Sequence, residues 1–160
     1  GILLVEEGDA VNPVRFNAIP LPSVYLDTGP DDKIDHVYRQ RSLKYEEIPI
    51  AYPKGNIGEK TQRSITTNPD AKVDVVEIVC RNYSKPNQDL FDFFVINIPD
   101  KEIIQQDQFS GTGSNPFVCF RWSKASGEIY GRGPLINALS AIKTTNLTIE
   151  LVLENAQMAI

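Results

Sequence analysis

Apolar and polar residues alternate through much of the first 122 positions, and beyond Pro134 the apolar ones recur every three or four positions. The first rhythm is that of strands on a half-buried surface, and the second is that of a helix. Residues 2–6 form a short apolar run closed by Gly8-Asp9, a turn signal. Val14, Phe16 and Ala18 alternate with Arg15, Asn17 and Ile19, after which Pro20 and Pro22 break the pattern. Residues 24–27 predict another short strand and residues 28–33 a turn. Residues 34–42 predict a strand with His36, Tyr38 and Gln40 on one face and Val37 between charged neighbours on the other. So mixed a pattern points to a sheet edge or a solvent-covered position. The opening third therefore reads as a β-meander.

Residues 42–48 predict a helical turn begun by Ser42, with acids near its start and Pro49, Pro53 and Gly55 limiting it. Residues 56–65 predict a second short helix capped by Asn56 and weakened by Gly58 and its threonines. The stretch 49–68 is expected to be the most mobile part of the chain. From Lys72 the pattern is clean. Val73, Val75, Glu77 and Val79 alternate against Asp74, Val76, Ile78 and Cys80. A turn over 82–89 and an aromatic strand over 90–98 complete a hairpin. Residues 99–101 turn the chain into a strand over 102–106. The glycine-rich link 111–116 then leads to an aromatic strand over 117–122.

After Pro134 the residues Leu135, Leu139, Ile142, Asn146, Ile149, Leu153, Ala156 and Ile160 form one stripe with a single polar interruption. Ile136, Leu147, Leu151, Val152 and Met158 widen it. This is more apolar surface than one sheet face requires, so part of the helix is expected to meet a neighbouring subunit. Thr144, Thr145 and Thr148 lower helix propensity, and a bend is expected near Asn146. The fold class is α+β, strand-rich first and helical last.

Composition narrows the function classes. The chain has 160 residues, 41% of them hydrophobic, enough for a domain with a substantial core. Its net charge of −5 does not make the electrostatic footprint of a nucleic-acid binder. No apolar run is long enough to span a membrane, and no charged region precedes an apolar one as in a signal peptide. The chain starts within a strand-like run and stops within a helix, so it is expected to be a piece of a longer protein.

Candidate chemistry is sparse. His36, the single histidine, has Asp35 beside it but no nucleophile or second base at a useful spacing, so it reads as a surface or partly packed imidazole. Cys80 and Cys119 lie in apolar strands and read as buried thiols, with a disulfide open to them only if those strands are neighbours. Gly111 and Gly113 precede a strand, the wrong context for a phosphate loop. Two Asn-x-Ser/Thr triplets, at Asn82 and Asn146, have no meaning without secretion. No catalytic residues, metal ligands or cofactor are assigned.

The densest signal runs from Phe117 to Pro134: an aromatic strand, a polar turn, a glycine-flanked arginine and a helix-opening proline. Arg121, Trp122, Lys124, Gly127, Glu128, Tyr130, Gly131, Arg132, Gly133 and Pro134 make up this motif. An acid and a base, Glu128 and Arg132, are expected to clamp the corner to each other or to the helix start, with Trp122 and Tyr130 as its packing anchors. The motif and the helix after it, with Ala138-Leu139, Ile142-Lys143-Thr144 and Ala156-Gln157, resemble the head-to-tail connecting (portal) protein of short-tailed bacteriophages. The opening Gly1 to Asp9 and Phe16-x-Ala18-Ile19-Pro20-Leu21 resemble it too, and the likeness is weak between Lys44 and Lys72.

That resemblance implies a structural subunit of a dodecameric ring at one capsid vertex, through which double-stranded DNA is packaged and ejected. Its implied partners are further copies of itself, the terminase, capsid proteins and a tail adaptor, with DNA passing without sequence specificity and no membrane involved. It implies a virion location, reached by assembly in the host cytoplasm. Residues 1–125 would form a β-rich, wing-like region with short helices near 42–67, and residues 126–160 a turn and a long helix leading toward a stem. Leu139, Ile142, Ile149, Leu151, Val152, Leu153 and Ala156 are the candidate subunit-interface residues. A helix ending near Asn68-Pro69 is also implied. From the residues alone, a carbohydrate- or protein-binding β module with an oligomerisation helix is the alternative.

Overall fold

The computed structural model describes residues 1–85 and 88–158. The chain divides into two compact units, Gly1–Phe120 and Arg121–Ile160. Among the described residues the first contains eight strands: β1 (Ile2–Glu7), β2 (Val14–Ile19), β3 (Val24–Thr28), β4 (Ile34–Lys44), β5 (Lys72–Arg81), β6 (Leu90–Asn97), β7 (Glu102–Ser110) and β8 (Phe117–Cys119). Two short helices, α1 (Ile48–Ala51) and α2 (Glu59–Thr67), lie between β4 and β5. The second unit carries the long helix α3 (Leu135–Met158). The fold is α+β, strand-rich and then helical, as the sequence rhythm indicates.

The strands form two sheets, one ordered β2-β1-β8 and the other running β3-β4-β5-β6-β7 in sequence order. The opening third is thus not one meander. β1 pairs with β2 on one side and β8 on the other, whereas β3 and β4 start the larger sheet. The physical cause lies in Pro20-Leu21-Pro22-Ser23. Proline cannot extend a ladder, and here the chain makes a 3-10 turn over Leu21–Ser23 that carries it from one sheet to the other.

β4 is an interior strand, flanked by β3 and β5, and not the edge its mixed pattern implied. Its register with β5 sets His36 opposite Cys80 and Arg39 opposite Glu77. The charged residues of β4 therefore share the inner face with Val37, where they are paired instead of solvated: Arg39 and Arg41 with Glu77, and Asp35 with Arg81. The β5–β6 hairpin has the expected antiparallel register, from Val75 opposite Asn97 to Arg81 opposite Phe91. Of the predicted turn over 82–89, Pro86 and Asn87 lie outside the described residues. β7 runs on to Ser110, four residues past its predicted end.

The core is covered by residues 45–48 together with part of the 49–68 stretch that is expected to be most mobile. Ile48, Tyr45 and Tyr52 pack against Val73, Val75, Val95 and Ile104, with Ile57 and Ile65 at the margin. β4 continues through Ser42 to Lys44, so no helix starts at Ser42. A 3-10 turn over Tyr45–Glu47 leads into α1, which has Pro49 in its first turn, where a missing amide hydrogen breaks nothing.

α2 starts at Glu59, three residues after the predicted Asn56 cap, because the capping oxygen comes from elsewhere in the chain. The Glu102 carboxylate of β7 accepts hydrogen bonds from the amides of Lys60 (3.1 Å) and Thr61 (3.0 Å) and from the Thr61 hydroxyl (2.8 Å). The helix ends at Thr67, before Asn68-Pro69 as the resemblance implied.

The hydrogen bond from the Thr61 backbone amide, helped by the Thr61 hydroxyl and the Lys60 amide, holds the Glu102 carboxyl below its ordinary range. A depressed native pKa contributes stability that is present above the unfolded value, about 4.3 for a glutamate, and is lost as pH falls through the native pKa. Hydrogen exchange should therefore show α2 amides losing protection at pH 3 relative to pH 6, ahead of the β5–β6 amides. Equal loss in both would mean that Glu102 does not govern α2.

Candidate functional site

The Phe117 strand is shorter than its composition predicts. β8 ends at Cys119, and the pairing with β1 closes where the Phe120 amide donates to Gly1 O (3.0 Å) and the Gly1 amine donates to Phe120 O (2.8 Å). The three residues Phe120, Arg121 and Trp122 lie outside any strand.

From Arg121 the second unit folds into a closed loop. Ser123 and Arg132 form an isolated antiparallel bridge, with the Arg132 amide donating to Ser123 O at 2.8 Å and the Ser123 hydroxyl to Arg132 O at 3.1 Å. Within the loop the Glu128 amide donates to Ala125 O at 3.2 Å, a turn that needs Gly127 at φ +79°. Arg121 reaches across to donate to Ile129 O at 3.1 Å. Gly131 lies so close to Arg121 that a Cβ there would sit 2.7 Å from the arginine's own Cβ.

Glu128 and Arg132 meet as a two-pronged pair, with Arg132 Nε donating to Oε2 at 2.9 Å and Nη2 to Oε1 at 2.5 Å. The hydrogen bonds from Arg132 hold the Glu128 carboxyl below its ordinary range, and the same bonds hold the guanidinium above its own. The clamp expected between these two residues is present. Gly133 O accepts from the Ile136 amide at 3.2 Å, so the residue before Pro134 closes the first turn at the start of α3.

Trp122 is not a packing anchor. It is 79% exposed, and Tyr130 is 40% exposed. An open hollow of about 470 Å³ lies on the loop, lined by residues 127–132 and Ile136. Lys124 is partly buried beside it in sequence, while Gly133 has open space around its α-carbon.

α3 runs unbroken through Asn146, and none of its described residues is buried. The hydroxyls of Thr144, Thr145 and Thr148 return to carbonyls four residues back, which lets these poor helix formers stay in register. Of the candidate interface residues, Leu139, Ile142, Ile149, Leu151, Val152, Leu153 and Ala156 are all exposed. Ile160, the last residue of the stripe, lies outside the described residues. A long helix carrying this much uncovered apolar surface is characteristic of a chain that buries it against something else.

Three buried polar groupings escaped the sequence reading. Glu77, Arg39, Arg41 and Tyr52 form one. Asn97 Nδ2 donates to the Thr61 hydroxyl and to Asp100 in the second. In the third, Asp35 accepts from Tyr83 and Arg81. The available signal was charges two apart on β4 facing an acid on β5. All three groupings tie elements of the first unit together.

Little here is arranged for chemistry. His36 is partly buried with Nδ1 unbonded, and Cys80 and Cys119 lie in different sheets, unlinked to each other. Burial, with Asp92 nearby, raises the Cys80 thiol pKa, which leaves it a poor nucleophile. Among the described residues no three His, Cys, Asp or Glu side chains gather as a metal site requires, and no helix is long and apolar enough to cross a membrane.

The family model for the bacteriophage head to tail connecting protein matches residues 1–160, the whole chain. The chain belongs to that family. No curated protein matches it. The match includes the Lys44 to Lys72 stretch, where the likeness is weakest to the eye. The family is one of phage structure and not of enzymes, and a head-to-tail connector works in the virion among capsid and tail proteins. Most of the residues from Arg121 to Pro134 singled out in the sequence fall on the closed loop, and the apolar stripe falls on α3.

Proposed function

We propose that this connector chain is part of a portal subunit. Copies of it form a dodecameric ring at one capsid vertex, double-stranded DNA enters and leaves through the ring, and the chain performs no catalysis itself. The terminase docks on the ring during packaging and a tail adaptor docks afterwards, the ring being assembled in the host cytoplasm. Residues 1–125 are its wing-like body. Residues 126–160 form a turn and the long helix that leads toward the stem.

The observation that carries this reading is α3, a helix of 24 residues without one buried residue and with an apolar stripe along its length. In a head-to-tail ring each copy meets its neighbours through two different surfaces, so such a stripe finds cover on the next copy. The net charge of −5 supports the conduit role, because strongly basic walls would hold DNA in tight, salt-sensitive contacts. Negative-stain electron microscopy and light scattering of the full-length protein test the reading. Rings with a central channel and near twelve-fold averages are expected. A protein that stays monomeric or dimeric at every concentration and salt overturns it.

A further inference from the structure

The small sheet has a second apolar face. In the β2-β1-β8 register Leu3 stands beside Ala18 and Val118, Val5 beside Phe16, and Glu7 beside Val14. Side chains at alternate positions share a face, so Leu3, Val5, Val14, Phe16, Ala18 and Val118 lie together. The opposite face carries Ile2, Leu4, Ile19 and Phe117, all buried within the first unit. The Leu3 face is open: Val14 is 48%, Phe16 67% and Val118 47% exposed. A strand with apolar residues on both faces is the pattern of a sheet covered on both sides.

The only charge on this face is Glu7, at its rim. The first half of α3, Leu135 to Leu147, likewise holds a single charge, Lys143. At 3.6 residues per turn Lys143 falls within the apolar arc made by Ile142, Leu135, Leu139, Ile136 and Leu147. It has no carboxylate three or four positions away on its own helix. Both groups are exposed. The sizes agree as well. A six-residue strand spans about 20 Å, and the thirteen residues of this half-helix span about 20 Å.

We infer that the first half of α3 in one copy docks across the Leu3 face of the small sheet in the next copy, with Lys143 set against Glu7. The occupant is a second copy of this chain because the two surfaces are complementary in charge, one anion against one cation, and in length. The C-terminal half of α3 brings Glu150 and Glu154, which Glu7 would repel, and this fixes which half docks. The contact is heterologous and so propagates around a ring. The inference rests on the ring reading above and names the pair of surfaces that the ring joins.

The test uses the full-length protein with Cys80→Ala and Cys119→Ala, into which Glu7→Cys and Lys143→Cys are introduced together. Oxidised rings should give a disulfide ladder extending past the dimer, absent from either single cysteine variant. A cross-linked monomer alone would place the helix on its own sheet, and a ladder stopping at dimer would mean symmetric pairing. Rings with no cross-link would mean that something else covers the Leu3 face. Each of these three results overturns the inference while leaving the portal reading intact. Failure of the unsubstituted protein to form rings overturns both. In a second arm, Glu7→Lys or Lys143→Glu alone should lose most of the ring peak at low salt, and the double exchange should restore it. Single and double variants with equal ring yields would also overturn the pairing.

Discussion

Replacing Glu77 by alanine is expected to destabilise the first unit by about 3 kcal/mol, the low end of the cost of breaking a buried ion pair from one side. The Glu77 side chain is 6% exposed and faces Arg39 at 3.1 Å and Arg41 at 2.8 Å, with the Tyr52 hydroxyl donating to it at 2.8 Å. Truncation leaves two guanidiniums without a counter-charge and a buried phenol without its acceptor. The low end applies because Arg39 and Arg41 keep 18% and 30% side-chain exposure, so water recovers part of the loss.

The coupling shows in the partners too. Burial is the strongest single influence and works against the Arg41 cation, yet the hydrogen bonds and charges of Glu77 and Tyr52 together outweigh it and hold the pKa above the ordinary arginine value. Burial and the Glu77 carboxylate together drive the Tyr52 phenol well above its ordinary range. Because Tyr52 follows α1 directly, the same carboxylate pins the helical cover to the sheet. Urea unfolding followed by tryptophan-independent far-UV signal measures the effect. A loss under about 1 kcal/mol, the value of a surface pair, would show that the arginines simply turn out to water.

That cluster also shows where sequence reasoning stopped. Alternation recovered β1, β2, β5 and β6 because aliphatic or aromatic residues recur along each of them, and single polar residues such as Glu77 and Asn97 do not erase that signal. β4 was misplaced at an edge because Asp35, Arg39 and Arg41 look solvated when read singly. Their partners Arg81 and Glu77 lie some forty residues away, and only the β4–β5 register brings them together. The α2 start was misread for the same reason. Asn56 was the nearest capping residue in the sequence, but the oxygen in place belongs to Glu102, on a strand formed later in the chain. Trp122 failed differently. Its neighbours Phe117 to Phe120 are strand-like, and a tryptophan in that company reads as buried until the ladder is seen to end at Phe120. The α3 helix was fully legible from its period and from Pro134, whereas what its stripe touches was not, since a period reports a face and not its partner.

The second large effect falls on assembly. In the full-length protein, Leu153→Asp is expected to abolish ring formation while leaving the fold close to intact. In this chain Leu153 is 59% exposed, so an aspartate there meets water. Its cost is lower helix propensity, some tenths of a kcal/mol, plus like-charge contact with Glu150 three residues back, again some tenths. Across an interface the same change removes a buried leucine, about 1.5–3 kcal/mol, and sets a carboxylate against apolar surface, at least about 1–3 kcal/mol more. Each subunit contact therefore weakens by roughly a hundredfold or more, since about 1.4 kcal/mol is tenfold, and a closed ring suffers this at every joint. Val152→Asp, one position and about 100° around the helix, probes the other flank and is expected to impair assembly as well, because Val152 is 61% exposed and belongs to the widened apolar set. Light scattering reads the mass, and circular dichroism with a melting curve serves as the folding control. Rings of normal mass from both variants would mean that this part of α3 finds its cover within its own subunit, and the stripe would then be a core element of the longer chain and not a joint between copies.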